Sequence, residues 1–387
     1  MLRDECTTQP SEDDVGPIDL RFRREAAFFF ARHLHRLDLS DLDFVLALAK
    51  EIPPSVNGCY IIVPMHVSES TLDRYLQLLV PQLLVSSATV VVFANATMNQ
   101  VSVDDFGQQI KRARECVSES SAVPRTVLAA RLFDSPVTMG RLRGLLADAV
   151  LVNAYLNRVS HPIIISNDID ALAVADNYIE TFARRFNSDR TLKLAAGMVD
   201  YGYRGAVSAE VLNGTPVPEL YVFNELNKAI NRCARNGLIN YERRVWIEGA
   251  NAAFSGAAYC ASGGFDFEMK SGEDDSLGRA LNRLNPNAFI AETLAEATLY
   301  VPDPILRCSL EADCWVLTDP RRILMAIASG LPGIEAWADR PFMETVGATM
   351  SAADLALQCA NHPALITPTK LVAAAKGSAD ARYAVVS

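Results

Sequence analysis

The sequence predicts an α/β fold, a mostly parallel twisted sheet with helices on both faces and helical additions at its N- and C-terminal ends. Three observations predict it. Short apolar runs recur through the first half of the chain and end at Pro, Asn or Asp. Segments with apolar residues three and four positions apart separate these runs. Each connection is long enough to cross over and return the chain parallel to the strand before it.

In order, residues 1–16 are polar and acidic, with Pro10 and Gly16, and read as a disordered tail. Residues 17–56 form an N-terminal helical extension with helices over 18–36 and 40–51. Ser40 with Asp43 reads as a capping box, and Pro53-Pro54 stops the second helix. Tyr60-Ile61-Ile62-Val63, ending at Pro64, is a buried strand. A helix over 70–84 follows, with Leu72, Tyr75, Leu76 and Leu79 on one face. The pattern continues with strand 89–93, helix 103–118, strand 125–130, helix 139–158 and strand 163–166. Helix 176–188 and strand 191–200 come next, then a loop over 201–205 and a helix over 222–236. The stretch 244–272 is glycine-rich and reads as irregular, 275–284 as helix, and 301–387 as a helical and irregular C-terminal extension.

Composition narrows the function. The chain has 387 residues, a formal net charge of −10 and a pI of about 5.1. That balance disfavours nucleic acid and anionic membranes, whose affinity comes from basic side chains. No apolar stretch reaches membrane-span length, and residues 1–16 lack the apolar core of a signal peptide, so the expectation is a soluble cytoplasmic protein. The eight cysteines include no Cys-x-x-Cys pair and no zinc spacing, and read as reduced structural thiols.

Two acidic clusters carry chemistry. Asp168-Ile169-Asp170 leaves an apolar strand, and two carboxylates one residue apart suit a hard cation whose other ligands are phosphate and water. A plain Asx turn fits the same residues. Gly272-Glu273-Asp274-Asp275 opens a helix. Acidic residues there satisfy the helix dipole, and one of them, beside an acceptor hydroxyl, would serve as general base. Upstream lie Gly249-Ala250-Asn251-Ala252-Ala253-Phe254 and Gly263-Gly264-Phe265-Asp266, whose glycines permit close backbone approach to a ligand.

In this order the motifs resemble family 2 of the GT-A fold glycosyltransferases, which use nucleotide-activated sugars. The resemblance spans about 57–300 and includes Ile61-Ile62-Val63-Pro64-Met65-His66-Val67-Ser68-Glu69 and the segment 138–154. It implies a GT-A domain over 57–300 and an inverting, non-processive sugar transfer from a UDP- or GDP-sugar donor to an acceptor hydroxyl, with Mn2+ or Mg2+. Asp168 and Asp170 would hold the cation and donor diphosphate. Asp274 would be the base, with Glu273 and Asp275 as rivals in the same run. Pro64, His66 and Glu69 would line the nucleotide pocket, Arg141 or Arg143 would face ribose or phosphates, and Gly249 and Asn251 would border sugar and acceptor. Where the family commonly ends its second strand with an acidic residue that reads the base, this chain has Asn95. The Gln-x-x-Arg-Trp motif of processive synthases is absent. A sugar-phosphate nucleotidyltransferase shares the fold, but the loop Pro64-Met65-His66-Val67-Ser68 lacks the glycine such enzymes carry. A non-catalytic nucleotide-sugar-binding module is the third reading.

Overall fold

A computed structural model describes residues 17–120, 123–200, 247–269, 272–284 and 307–318. The expected tail over 1–16, the loop over 201–205, the helix over 222–236 and the C-terminal extension beyond 318 lie outside them. The N-terminal segment forms α1 (Pro17–Phe28), a π turn (Phe29–His33), a 3-10 turn (Leu34–Arg36) and α2 (Leu39–Glu51). Then come β1 (Cys59–His66), α3 (Leu72–Ser86), β2 (Thr89–Thr97), α4 (Val103–Glu119), β3 (Thr126–Phe133) and α5 (Met139–Leu156). These lead to β4 (Ile163–Asn167), β5 (Ala171–Val174), α6 (Tyr178–Ser188) and β6 (Leu192–Asp200). β7 (Asn251–Ser255), α7 (Gly256–Ala261), α8 (Glu273–Asn282) and β8 (Arg307–Thr318) complete the described elements.

The strands join one sheet in the order β3-β2-β1-β4-β7-β6-β8-β5. It is parallel from β3 to β4 and mixed beyond, where β7 runs antiparallel to both β4 and β6. β1 and β4 lie side by side while the chain from β1 first winds the other way through β2 and β3. The strand order therefore reverses between β1 and β4, and ligands of open α/β sheets bind outside the carboxyl ends at such a point.

Side chains of the central strands alternate between two cores. Tyr60 and Ile62 face one with Phe93 and Phe254; Ile61 and Val63 face the other with Tyr178 and Phe182. Each fully buried aliphatic side chain contributes about 1.5–3 kcal/mol, so a strand buried on both faces is a strong anchor. α5 lies in the first core, covered outside by the N-terminal segment through Phe29, Val45 and Leu48. Sandwiched that way, it is apolar almost all round, as a fully buried helix must be. Its glycines seat a loop: a methyl at Gly140 would lie 2.0 Å from the Asp266 carbonyl oxygen, and one at Gly144 2.3 Å from the Phe267 ring.

Several expectations are corrected. The first helix is not continuous over 18–36, since it widens into the π turn that brings Phe29 and His33 inward. Asp38, not Ser40, caps α2, accepting from the Asp41 N–H at 2.8 Å, while the Ser40 hydroxyl meets Arg131. The stretch 244–272, expected to be irregular, contains β7 and α7. Residues 307–318 form a sheet strand, so the sheet runs past residue 300 into what was expected to be a helical and irregular extension. The expectation of reduced thiols, by contrast, holds at Cys308 and Cys314, which are free.

Candidate active site: two acidic turns joined by a buried arginine

The carboxyl ends of β1 and β4 emerge together, since Ile62 pairs with Ser166 in parallel register. β4 ends in Asn167, which is fully buried. Its Oδ1 accepts the Asp168 N–H at 2.8 Å, and its Nδ2 donates to the Tyr178 hydroxyl at 3.1 Å. This local bond shapes the turn that carries Asp168-Ile169-Asp170. Asp170 is buried, and its Oδ1 accepts from the Thr318 hydroxyl at 3.1 Å, a partner from β8. Asp168 sits at the rim with its side chain 16% exposed.

Arg143 projects from α5 between the two acidic clusters. Its Nη2 meets Asp168 Oδ1 at 2.5 Å and its Nη1 meets Glu273 Oε1 at 2.6 Å. The guanidinium is buried, and its Nε finds no hydrogen-bond partner. The surrounding carboxylates raise its pKa against the opposing effect of burial. Directly above it lies Gly249, where a methyl would fall 1.6 Å from Nη1. Only glycine lets the backbone cross the guanidinium at that height.

The Gly249 N–H then donates to Asp274 Oδ2 at 2.7 Å, while Asp274 Oδ1 accepts the Asp275 N–H at 2.8 Å. The three acidic residues of this turn thus have separate fates. Glu273 pairs with Arg143, and Asp275 pairs with Arg279 one turn along the same helix. Asp274 is half-buried and has no cation at contact distance among the described residues. Burial and, after it, the Glu273 charge push its carboxyl up to about 7, against the opposing pull of Arg143. A carboxyl poised near neutrality is suited to accepting a proton.

The remaining expected residues divide. Pro64 is buried at the end of β1. His66 beside it contacts the Ser68 hydroxyl at 2.7 Å and Gln100 at 3.3 Å. Glu69 lies three residues on, its N–H bonded to the His66 carbonyl. Asn95 pairs with His66 across β1 and β2, and its amide donates to the Met65 carbonyl at 2.7 Å, so it latches the two strands. Arg141 points elsewhere: its Nε meets Asp41 Oδ2 at 2.9 Å on α2. Two residues apart on a helix, Arg141 and Arg143 cannot face one target. Asn251 is fully buried and donates to the Met198 and Cys314 carbonyls at 2.8 and 3.0 Å, so it stitches β7 to β6 and β8.

Sequence reasoning missed Asn167, Thr318 and Tyr75. Tyr75 is buried with its hydroxyl unpartnered, and burial together with the Asp168 charge raises its pKa. Asn167 stood next to the Asp-x-Asp pair and was legible as an Asx turn residue. Thr318 carries no signal at all, being 148 positions from its partner.

Comparisons with known proteins add the following. No protein-family profile and no curated protein matches the chain. Among solved structures, S. aureus TarS 1-349 is 15% identical with a TM-score of 0.35, the match covering 70% of this chain and 64% of that one. Glucosyl-3-phosphoglycerate synthase from Mycobacterium tuberculosis, in complex with Mn2+, UDP-glucose and phosphoglyceric acid, is 13% identical with a TM-score of 0.35, covering 74% of this chain and 83% of that one. The same enzyme with Mg2+ and UDP gives 14% and 0.31. No helix of the described residues is long and apolar enough to cross a membrane.

Proposed function

We propose that this chain is a glycosyltransferase that moves a sugar from a nucleotide diphosphate donor to an acceptor hydroxyl, inverting the anomeric carbon. The observation that carries the reading is the meeting of the two acidic turns across Arg143 at the strand-order reversal. One turn suits a cation and diphosphate, and the other offers a carboxyl tuned for proton transfer.

The donor set fits a hard divalent cation. Arg143 takes Asp168 Oδ1, and among the described residues Asp168 Oδ2 has no hydrogen-bond partner. Magnesium and manganese need only one or two carboxylates when phosphate completes the shell. Asp168 and Asp170 would hold the ion, which when bound supplies Lewis-acid stabilisation of the departing diphosphate. Arg143 orients Asp168 and balances Glu273, so both turns keep their shape while a charged donor enters. Pro64, His66 and Glu69 form the nucleotide side. Asp274 accepts the proton of the attacking hydroxyl, and attack from the face opposite the leaving group inverts the centre.

The test has two steps. UDP- and GDP-sugars are screened with Mn2+ for thermal stabilisation, since a ligand of the folded state raises the melting temperature. The stabilising donor is then used to assay Asp168→Asn, Asp170→Asn and Asp274→Asn. The expected result is loss of donor stabilisation in the first two and loss of turnover with retained donor stabilisation in the third. Full turnover in Asp274→Asn refutes the base assignment. Pyrophosphate release from sugar phosphate and nucleoside triphosphate replaces the reading with nucleotidyl transfer.

A further inference from the structure

The turn that follows α1 reaches the site from behind, and the contact runs through one side chain. Arg36 Nη2 meets Asp148 Oδ2 of α5 at 2.7 Å, and Asp148 is fully buried, its Oδ1 2.9 Å from His33 Nε2. The same guanidinium donates through Nη1 to the Phe265 carbonyl at 2.9 Å and through Nη2 to the Tyr259 hydroxyl at 3.1 Å. It also lies over the Phe267 ring, 4.6 Å from the centroid. Cation, carboxylate, carbonyl and ring thereby fix the Gly263-Gly264-Phe265-Asp266-Phe267 loop against α5.

That loop lies beside the turn that carries the proposed base, on its Glu273 side. Gly140, in the first turn of α5, lies against both the Asp266 carbonyl and Glu273 Cβ, where a methyl would fall 2.0 and 3.3 Å from them. The Thr138 hydroxyl donates to the Phe267 carbonyl at 2.5 Å. Asp266 itself is exposed beside the turn of Glu273-Asp274. Gly264 has φ +77°, and a methyl there would lie 2.8 Å from the Tyr259 hydroxyl and 2.9 Å from the His33 ring. The loop is thus pressed onto the N-terminal turn and does not stand free of it.

We infer that Arg36 is a positioning residue for the acceptor side of the site: its guanidinium clamps the 263–268 loop to α5 and so sets the floor beside Asp274. The helices over 17–51 are then a working part of the site. This rests on the proposed transfer reaction only for the word acceptor; the clamp itself is independent of it.

Hydrogen–deuterium exchange on the full chain tests the clamp without any donor. Wild type is compared with Arg36→Lys and Arg36→Met, and with Arg131→Met, which removes another ion pair of the same segment, to Asp41. Lysine keeps a charge on Asp148 but cannot fork to the Phe265 carbonyl. Arg36→Lys is expected to melt close to wild type yet exchange about tenfold faster over 259–269 and the first turn of α8, with β1 and β4 unchanged. Arg36→Met should show the same local change or a larger one, and Arg131→Met should leave 259–269 at the wild-type rate. With a donor and acceptor in hand, Arg36→Lys should raise the acceptor KM and leave the donor KM unchanged. Unaltered loop exchange in Arg36→Met, or acceleration spread evenly over the sheet in Arg36→Lys, overturns the inference. A local exchange change in a chain without transferase activity would uphold the clamp and refute only the proposed function.

Discussion

Among the described residues, Asp274 differs from its neighbours in having only backbone N–H groups as hydrogen-bond partners. A base acts as the carboxylate, so a carboxyl held near 7 must lose its proton before it can work. The proton leaves as pH rises, so kcat/KM is expected to climb through about pH 7 and level off above it. An ordinary carboxyl with a pKa of about 4 would give a flat profile over the same range. A profile flat from pH 5 to 8 would remove Asp274 from this role. Gly249 makes a second prediction. Gly249→Ala drives a methyl into the Arg143 guanidinium, which must then release Asp168 or Glu273. Displacement of that order costs about a hundredfold in rate, and steady-state kinetics on a folded variant checks it. Much at this scale was legible in the sequence. An acidic pair after a strand, an acidic run opening a helix and a glycine between them all stand out by type and spacing, and the structure brings them together. Which arginine joins them was not, because Arg141 and Arg143 differ only in the direction each takes from α5, and that depends on what packs around the helix.

The helices and strands hold these groups through buried polar contacts. Asn153 of α5 donates to the Ala49 and Ile52 carbonyls at 3.0 and 2.7 Å, closing the end of α2, and accepts from the Tyr60 hydroxyl at 3.3 Å. The sequence shows Pro53-Pro54 as the stop, yet the orphan carbonyls of the last turn still need donors, and a side chain a hundred positions away supplies them. Asn153→Ala leaves those groups buried and unpaired. It is expected to destabilise the protein by about 1–3 kcal/mol, measured as a lower urea midpoint at unchanged slope. Most of the parallel half of the sheet could be read in advance, because a strand buried on both faces is a continuous apolar run. β7 could not. Asn251-Ala252-Ala253-Phe254-Ser255 is short, small and flanked by glycine, and it becomes a strand because β4 and β6 offer it free edges.

Across the whole molecule, the sheet is closed by its latest described strand. β8 pairs with β6 and β5, and its Thr318 reaches Asp170. A domain ending at residue 300, as the motifs suggested, would lack that strand, expose two sheet edges and free Asp170 of its hydroxyl. Truncation after residue 300 is therefore expected to give insoluble or unfolded protein, judged by soluble yield and far-UV circular dichroism; a folded product would show that β8 is dispensable. The sequence hid this because pairing between distant segments leaves no periodic mark in either one.

The Asp170–Thr318 bond also imposes a schedule on biosynthesis. A nascent chain carries Asp168 and Asp170 outside the ribosome long before Thr318 is made, and the hydroxyl that meets Asp170 is missing until translation has passed that codon. Fragments that end before residue 318 therefore inherit the acidic pair without its final tether, and completion of the turn waits on synthesis of that segment.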